Sequence, residues 1–435
     1  MTSTRTPSGD FVSPQHQRSV LWVVIIATIA LFFDGYDLVV YGTILPVLMA
    51  DPSHLGAVSA QQAGVLGSYA LVGVMLGALV SGTLGDYLGR RKLMLINIVW
   101  FSLGMGLAAM THSVQAFGFW RLFTGIGIGG LIVTVATLIA DFAPPGKKNL
   151  YNAVVYGGFP LGGVFAALLA MLLRDEIGWR GMFWIGAAPL VILLPLAFFK
   201  LPESPRWLVA RGKDKQAQEV TARFGVPAPA RAELDAERAA VPQVGFGALI
   251  TRQYLFPTLL LGVMSFGGIL LTYGLNTWLP RIMESIGYDS RNSLAFLLML
   301  NGGAVVGGVV VSRIADRIGA KRVIACTFTL AAVSLIVLTF ALPFPVLMLA
   351  VALAGLGTIG TQVLIYGLVA NYYSTTTRSA GMAWCAGFGR LGGIFGPLIG
   401  GFIMGAGLAS EMAFYIFAGI ALLGTVLTLL VPQKS

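Results

Sequence analysis

Twelve apolar runs of bilayer-crossing length follow one another along this chain. They lie near residues 20–48, 61–84, 92–110, 116–141, 149–173, 180–200, 254–280, 291–312, 321–341, 344–371, 378–405 and 410–432. A helix needs about 20 apolar residues to cross hydrocarbon. In lipid, every backbone N–H and C=O must be paired within the protein, which leaves helices or closed barrels. Runs this long and this apolar are helical, so the predicted fold is all-α, a bundle of twelve membrane spans. Composition agrees: 11% of the 435 residues are charged, against about 25% in soluble domains. The first 19 residues are polar and lack the apolar core of a signal peptide, so the first run reads as a retained span.

Several chemistries drop out at once. Cys326 and Cys385 both fall in apolar runs, and His16, His54 and His112 are scattered, so neither a disulfide nor a metal site is expected. No phosphate loop is present, and "GIGIGG" lies inside an apolar helix rather than after a strand, which argues against a nucleotide site. No Ser–His–Asp cluster suggests hydrolysis. The expectation is a protein without cofactor or metal that is not an enzyme. The net charge of +10 does not point to nucleic acid, because its placement follows the spans.

That placement sets orientation. Alternate connections hold very different numbers of Lys and Arg: 22 of the 28 fall on one side, four on the other (Arg174, Arg180, Arg281 and Arg291), and Arg121 and Arg390 lie within spans. The positive-inside rule puts the basic side, and with it both termini, in the cytoplasm. The organisation then reads as a tail (1–19), a six-span half (20–200), a cytoplasmic linker (201–253) and a second six-span half (254–435) with a short tail. The stretch "RGKDKQAQEVTARF" in the linker could form a short surface helix.

The halves repeat at an offset of 230 residues. "GTLGDYLGRRK" (82–92) aligns with "SRIADRIGAKR" (312–322), and Gly125, Gly127 and Gly130 align with Gly355, Gly357 and Gly360. One shift spanning many helices implies a parallel duplication, the arrangement in which two halves enclose a midplane site and rock about it.

These features resemble the major facilitator superfamily, over nearly the whole chain. The residues that carry the resemblance are "GTLGDYLGRRK" between spans two and three, its echo "DRIGAKR", "RLFTGIGIGG" in span four and "PESPRWL" after span six. Within it, "DGYD" in span one, Arg121, "WLP" at 278–280 and Arg390 resemble the aromatic acid:proton symporters. Sugar and organic-ion transporters share some of these marks. The second loop motif departs from the first, with Ala320 where Arg90 stands.

Asp34 and Asp37 are three residues apart and share a face of span one, with Tyr41 one turn further on. Each ionised Asp near a helix centre costs about 2.5–3.5 kcal/mol to insert. Two charged carboxylates there would repel, so one of them is expected to take up a proton near neutral pH. The alternatives are a permanent ion pair or a wet cavity. Arg121 opens span four: it either snorkels to the outer headgroups or pairs with one of these acids, and pairing is what related sugar–proton symporters imply. Arg390 lies about 18 Å into span eleven. Its planar fork suits a substrate carboxylate, and the competing partner is an acid of span one.

The remaining candidates are less specific. Tyr41, Phe266, Tyr273, Trp278, Tyr366 and Trp384 could line an arene pocket or simply pack. Asn276, Asn301 and Gln362 could bind a phenol hydroxyl or join helices by hydrogen bonds. The resemblance implies a cytoplasmic gate built from Asp86, Gly89, Arg90 and Arg91 with Asp141, Glu203 and Arg206. Asp86 would cap span eleven near Arg378 and Ser379, and Asp316 would cap span five near Leu150. The expectation is a monomeric transporter of a bacterial inner membrane that imports a small aromatic carboxylate, benzoate, hydroxybenzoate or similar, by proton symport through alternating access. A sugar, a dicarboxylate or a drug on the same scaffold is one alternative; a membrane sensor that moves nothing is another.

Overall fold

The computed structural model describes residues 13–144, 148–233, 246–374 and 377–432, and among them the regular structure is entirely helical. The first half begins with α1 (Pro14–Ala50), which starts where Ser13 accepts from the His16 amide and Pro14 fills the first turn. It continues with α2 (Ala60–Leu88), α3 (Arg90–Ala109), α4 (Val114–Phe142), α5 (Lys148–Tyr156), α6 (Gly158–Gly186) and α7 (Leu193–Lys200). Two short helices follow, α8 (Pro205–Ala210) and α9 (Asp214–Phe224). The second half holds α10 (Leu255–Ser285), α11 (Ser290–Ile318), α12 (Ala320–Val337), α13 (Phe344–Gly355), α14 (Thr361–Tyr372), α15 (Arg378–Gly405) and α16 (Met412–Leu430). Below, the side of the bundle on which α1 starts is the tail face and the opposite side is the far face.

Among the described residues, eleven helices are long and apolar enough to cross a membrane, one fewer than the apolar runs. The difference has a local cause. Spans five and six run together in α6, where Gly178 takes φ 69° and ψ 174°, a backbone turn that a residue with a Cβ adopts with difficulty. Span six is then built in pieces: the last turns of α6, a 3-10 turn at Ala188–Leu190 and α7. Pro189 and Pro195 lie within these pieces and cannot donate to the helical ladder. The twelve-span arrangement holds, with its sixth member interrupted. Span ten is interrupted too, by a π-helical turn at Leu356–Gly360 between α13 and α14.

The internal repeat is visible in how the backbones meet. A Cβ on Gly125 would fall on the carbonyl of Ala70, and one on Gly355 on that of Leu300; each pair is displaced from the other by the 230-residue offset. Gly127 against Phe101 and Gly357 against Ala331 repeat the relation. Small residues let these helices close to backbone contact, which in lipid supplies the packing that apolar burial cannot.

The two halves meet mainly toward the far face. Gly42 of α1 lies against the Asn276 carbonyl of α10, and Gly64 of α2 lies against Pro397 and Gly401 of α15. Among the described residues, two hydrogen bonds cross the seam: Ser68 Oγ donates to the Ile394 carbonyl at 2.6 Å, and Arg174 donates to Ser290 at 2.5 Å. On the tail face, α8 and α9 pack on each other through Trp207, Leu208, Val209 and Ala217. They are tied to α1, because Gln15 Nε2 donates to the Arg223 carbonyl at 2.6 Å and Ser19 Oγ to that of Phe224 at 2.7 Å. The surface helix expected in the linker is therefore α9, and it rides on the first half.

Candidate functional site

Asp34 and Asp37 sit on one face of α1 deep in the bundle, 7% and 3% exposed. They are held differently. Asp37 Oδ1 accepts from Arg121 Nη1 at 2.5 Å, and Arg121 is itself only 2% exposed. Of the two expected readings for Arg121, pairing is the one observed; its side chain does not reach the headgroups. The guanidinium stands over the rings of Tyr41 at 5.1 Å and Phe183 at 5.9 Å. Tyr41 is fixed in turn by donating to the Ala63 carbonyl at 2.6 Å. The glycines of α4 make this possible. Gly125 and Gly129 let α4 lie on α2, which seats the start of α4 beside α1.

Asp34 has no ion pair within 4.0 Å among the described residues, although it lies one turn from Asp37. Arg390 of α15 is the cation whose charge reaches Asp34, and it reaches Tyr156 and Tyr273 as well. Arg390 is half-buried and, among the described residues, makes no ion pair either. Beside the acids lies a partly open, water-sized cavity walled by Asp34, Asp37, Tyr41, Arg121, Tyr273 and Thr277 with Leu71, Val74 and Ile128. The arrangement offers one acid already neutralised by a cation, one acid that is not, and a guanidinium free to take an anion.

The other candidates are distributed less simply. Tyr366 lies within electrostatic reach of Tyr156 and Tyr273. Asn301 Nδ2 donates to Asn276 Oδ1 at 2.8 Å and to the Leu297 carbonyl at 3.1 Å, while Asn276 Nδ2 donates to the Thr272 carbonyl at 2.8 Å. These two amides join α10 to α11 and do not line the cavity. Trp384 donates to the Thr258 carbonyl at 2.9 Å and stacks on Phe388 at 5.1 Å, so it joins α15 to α10. Gln362 Nε2 donates to Ser265 Oγ at 3.1 Å, and Ser265 gives its one hydrogen to the Cys385 carbonyl at 2.9 Å. Gln362 Oε1 is buried and has no hydrogen-bond partner among the described residues.

Three residues of this region escaped the sequence. Tyr36 donates to the Met182 carbonyl at 2.7 Å and ties α1 to α6. Phe183 stands under Arg121. Tyr156 ends α5 beside the charge of Arg390. A single Tyr or Phe within an apolar run carries no signal that separates a site from packing. Tyr36 alone could have been suspected, from its place between the two acids.

On the tail face the contacts of the loop motif are local to the first half. Arg90 meets Asp86 at 3.2 Å and Asp141 at 3.5 Å. Glu203 Oε1 accepts from the amides of Arg90 at 2.7 Å and Arg91 at 3.1 Å, capping α3 at its positive end. Gly89, with φ 90°, lies where a Cβ would strike the Glu203 carboxylate. Arg91 donates to the Phe198 carbonyl at 2.6 Å. Arg206 lies in the first turns of α8, and Arg378 opens α15 with its side chain exposed. Asp86 and Asp316 are exposed, and among the described residues neither makes a hydrogen bond or ion pair across the seam. The side chain of Ser379 lies outside the described residues.

Comparison with known proteins places these features in a family. The family described as "Sugar (and other) transporter" matches residues 23–432. A protein named benzoate transport protein, from Acinetobacter baylyi, is 33% identical over 97% of this chain and 91% of its own. A gentisate transporter from Corynebacterium glutamicum is 33% identical over 93% of this chain and 85% of its own. Among solved structures, the xylose transporter of E. coli in an inward-open conformation superposes with a TM-score of 0.77 at 16% identity, covering 96% of this chain and 97% of that one. At that identity the likeness establishes the fold.

Proposed function

The chain belongs to the sugar (and other) transporter family, and from that premise we propose that it imports a small aromatic carboxylate together with a proton across a bacterial inner membrane. The relatives named for benzoate and gentisate support the cargo. The observation that carries the reading is the unequal pair on α1: Asp37 is bound to Arg121, while Asp34, in the same cavity wall and within reach of the charge of Arg390, has no ion pair of its own among the described residues. The basic tail face is cytoplasmic by the positive-inside rule. The protein works as a monomer, its halves being residues 20–200 and 254–435.

In the proposed cycle the cavity opens outward with an acid of α1 protonated. The anion docks its carboxylate on Arg390, by two parallel hydrogen bonds, with its ring among Tyr41, Tyr273 and Tyr366. Gln362, Asn276, Asn301 and Trp384 form the surrounding shell. With both charges neutralised, closing the site around the cargo no longer buries a bare ion. The halves then rock, and cargo and proton leave to the cytoplasm. Asp34 is the better placed carrier, because a proton on Asp37 must first displace Arg121. Asp86, Gly89, Arg90, Arg91, Asp141, Glu203, Arg206, Asp316 and Arg378 form the gate that closes the cytoplasmic side in the opposite state.

The test is uptake into proteoliposomes under an imposed pH gradient, acid outside, with benzoate-type acids and with sugars as controls. Accumulation of an aromatic acid that collapses with the gradient is expected. Uptake of a sugar and of no aromatic acid would reject the cargo.

A further inference from the structure

Arg174 counts, in the sequence, as one of the few basic residues of the outer connections. In the structure it is not a surface residue. It lies at the end of the span-five part of α6, four positions before the break at Gly178, and is 5% exposed. Its Nη1 donates to the Thr43 carbonyl of α1 at 2.9 Å. Its Nη2 donates to Ser290 Oγ, at the first residue of α11, at 2.5 Å. Asp175 accepts from its Nε and Nη2 at 3.4 and 3.2 Å. Ser290 passes its own hydrogen to Glu284 Oε1 of α10 at 2.9 Å, and Glu284 lies 3.9 Å from Arg281.

Helices α1 and α6 belong to the first half, α10 and α11 to the second. One buried guanidinium therefore joins the halves at the end where they already touch. Its bonds are unequal in kind. Those to Thr43 and Asp175 stay within its own half, while the bond across the seam goes to a neutral hydroxyl, with the carboxylate of Glu284 held one step behind. A guanidinium with two anchors on one side and a single hydroxyl on the other can let go without being left bare: Asp175 is largely exposed and keeps it paired. We infer that Arg174 is the latch of the outer gate, bonded to Ser290 when the outer side is shut and released to Asp175 when it opens. The inference holds whatever the cargo is.

The experiment reads sidedness. In a Cys326→Ala, Cys385→Ala background, Thr277→Cys places a thiol in the cavity wall just inside the outer seam, where the native side chain is buried. Right-side-out vesicles are treated with a membrane-impermeant maleimide. Arg174→Gln and Ser290→Ala should each speed labelling about tenfold, the equivalent of one hydrogen bond to a charged group. The double variant should label no faster than either single one, because both remove the same bond. Ser290→Ala leaves Arg174 on Thr43 and Asp175, so it keeps the test valid if Arg174→Gln fails to fold. An unchanged rate in Ser290→Ala, or a double variant that labels as the product of the two single effects, would overturn the latch.

Discussion

The two halves share a skeleton and differ in charge. Gly125 on Ala70 and Gly355 on Leu300 show the same helix contact built twice. The ionisable chemistry within the spans is not repeated. The first half holds Asp34, Asp37 and Arg121; the second offers Arg390, with no ion pair among the described residues. On the proposed reading, a duplicated scaffold is divided into a side that holds the proton and a side that holds the anion. The lesson is that the seam between unlike halves, rather than either half, is where transport chemistry can be coupled.

The sharpest way to break this comparison is in the acids. Asp34→Asn and Asp37→Asn should both abolish gradient-driven accumulation, with Asp34→Asn retaining exchange of cargo across the membrane; full accumulation in both would remove the coupling role from α1. They should differ in stability. Asp37→Asn strands the Arg121 guanidinium, so it should cost about 3–5 kcal/mol, whereas Asp34→Asn removes no ion pair and should leave the melting temperature nearly unchanged. A thermal melt of the two purified variants decides this.

On the other side of the seam, Arg390→Lys keeps the charge and loses the fork. Affinity for an aromatic carboxylate should fall about tenfold to a hundredfold, as expected for losing a bidentate charge-assisted contact. Titration calorimetry measures it, and an unchanged affinity would move the anion site elsewhere. The shared skeleton gives a smaller pair of effects: Gly125→Ala and Gly355→Ala should each cost about 1–3 kcal/mol by overpacking, and should do so alike. A loss confined to one of them would mean that the repeat in sequence is not a repeat in packing energy. The smallest effect is expected at Glu203→Gln, which weakens the cap on α3 by about 1 kcal/mol, seen as a shift in the denaturant midpoint without loss of fold.

Residue order alone settled much of this protein. Apolar length dictated membrane helices, since lipid offers the backbone no hydrogen bonds. The 230-residue offset announced the duplication, and Asp34, Asp37 and Arg390 stood out because charge inside an apolar run is costly and needs a reason. Even the departure in span count was written locally, in Gly178 and the prolines that follow it. What periodicity could not decide was who pairs with whom. Asp34 and Asp37 look equivalent along the chain; only the approach of α4 gives Arg121 to one of them. Asn276 and Asn301 were open between ligand and helix joint until α11 came to lie beside α10. Arg174 read as an outer-surface charge until the far ends of four helices closed around it. Burial cost is a property of a segment and can be read from it, but partnership depends on distances between segments, which exist only once the bundle has assembled.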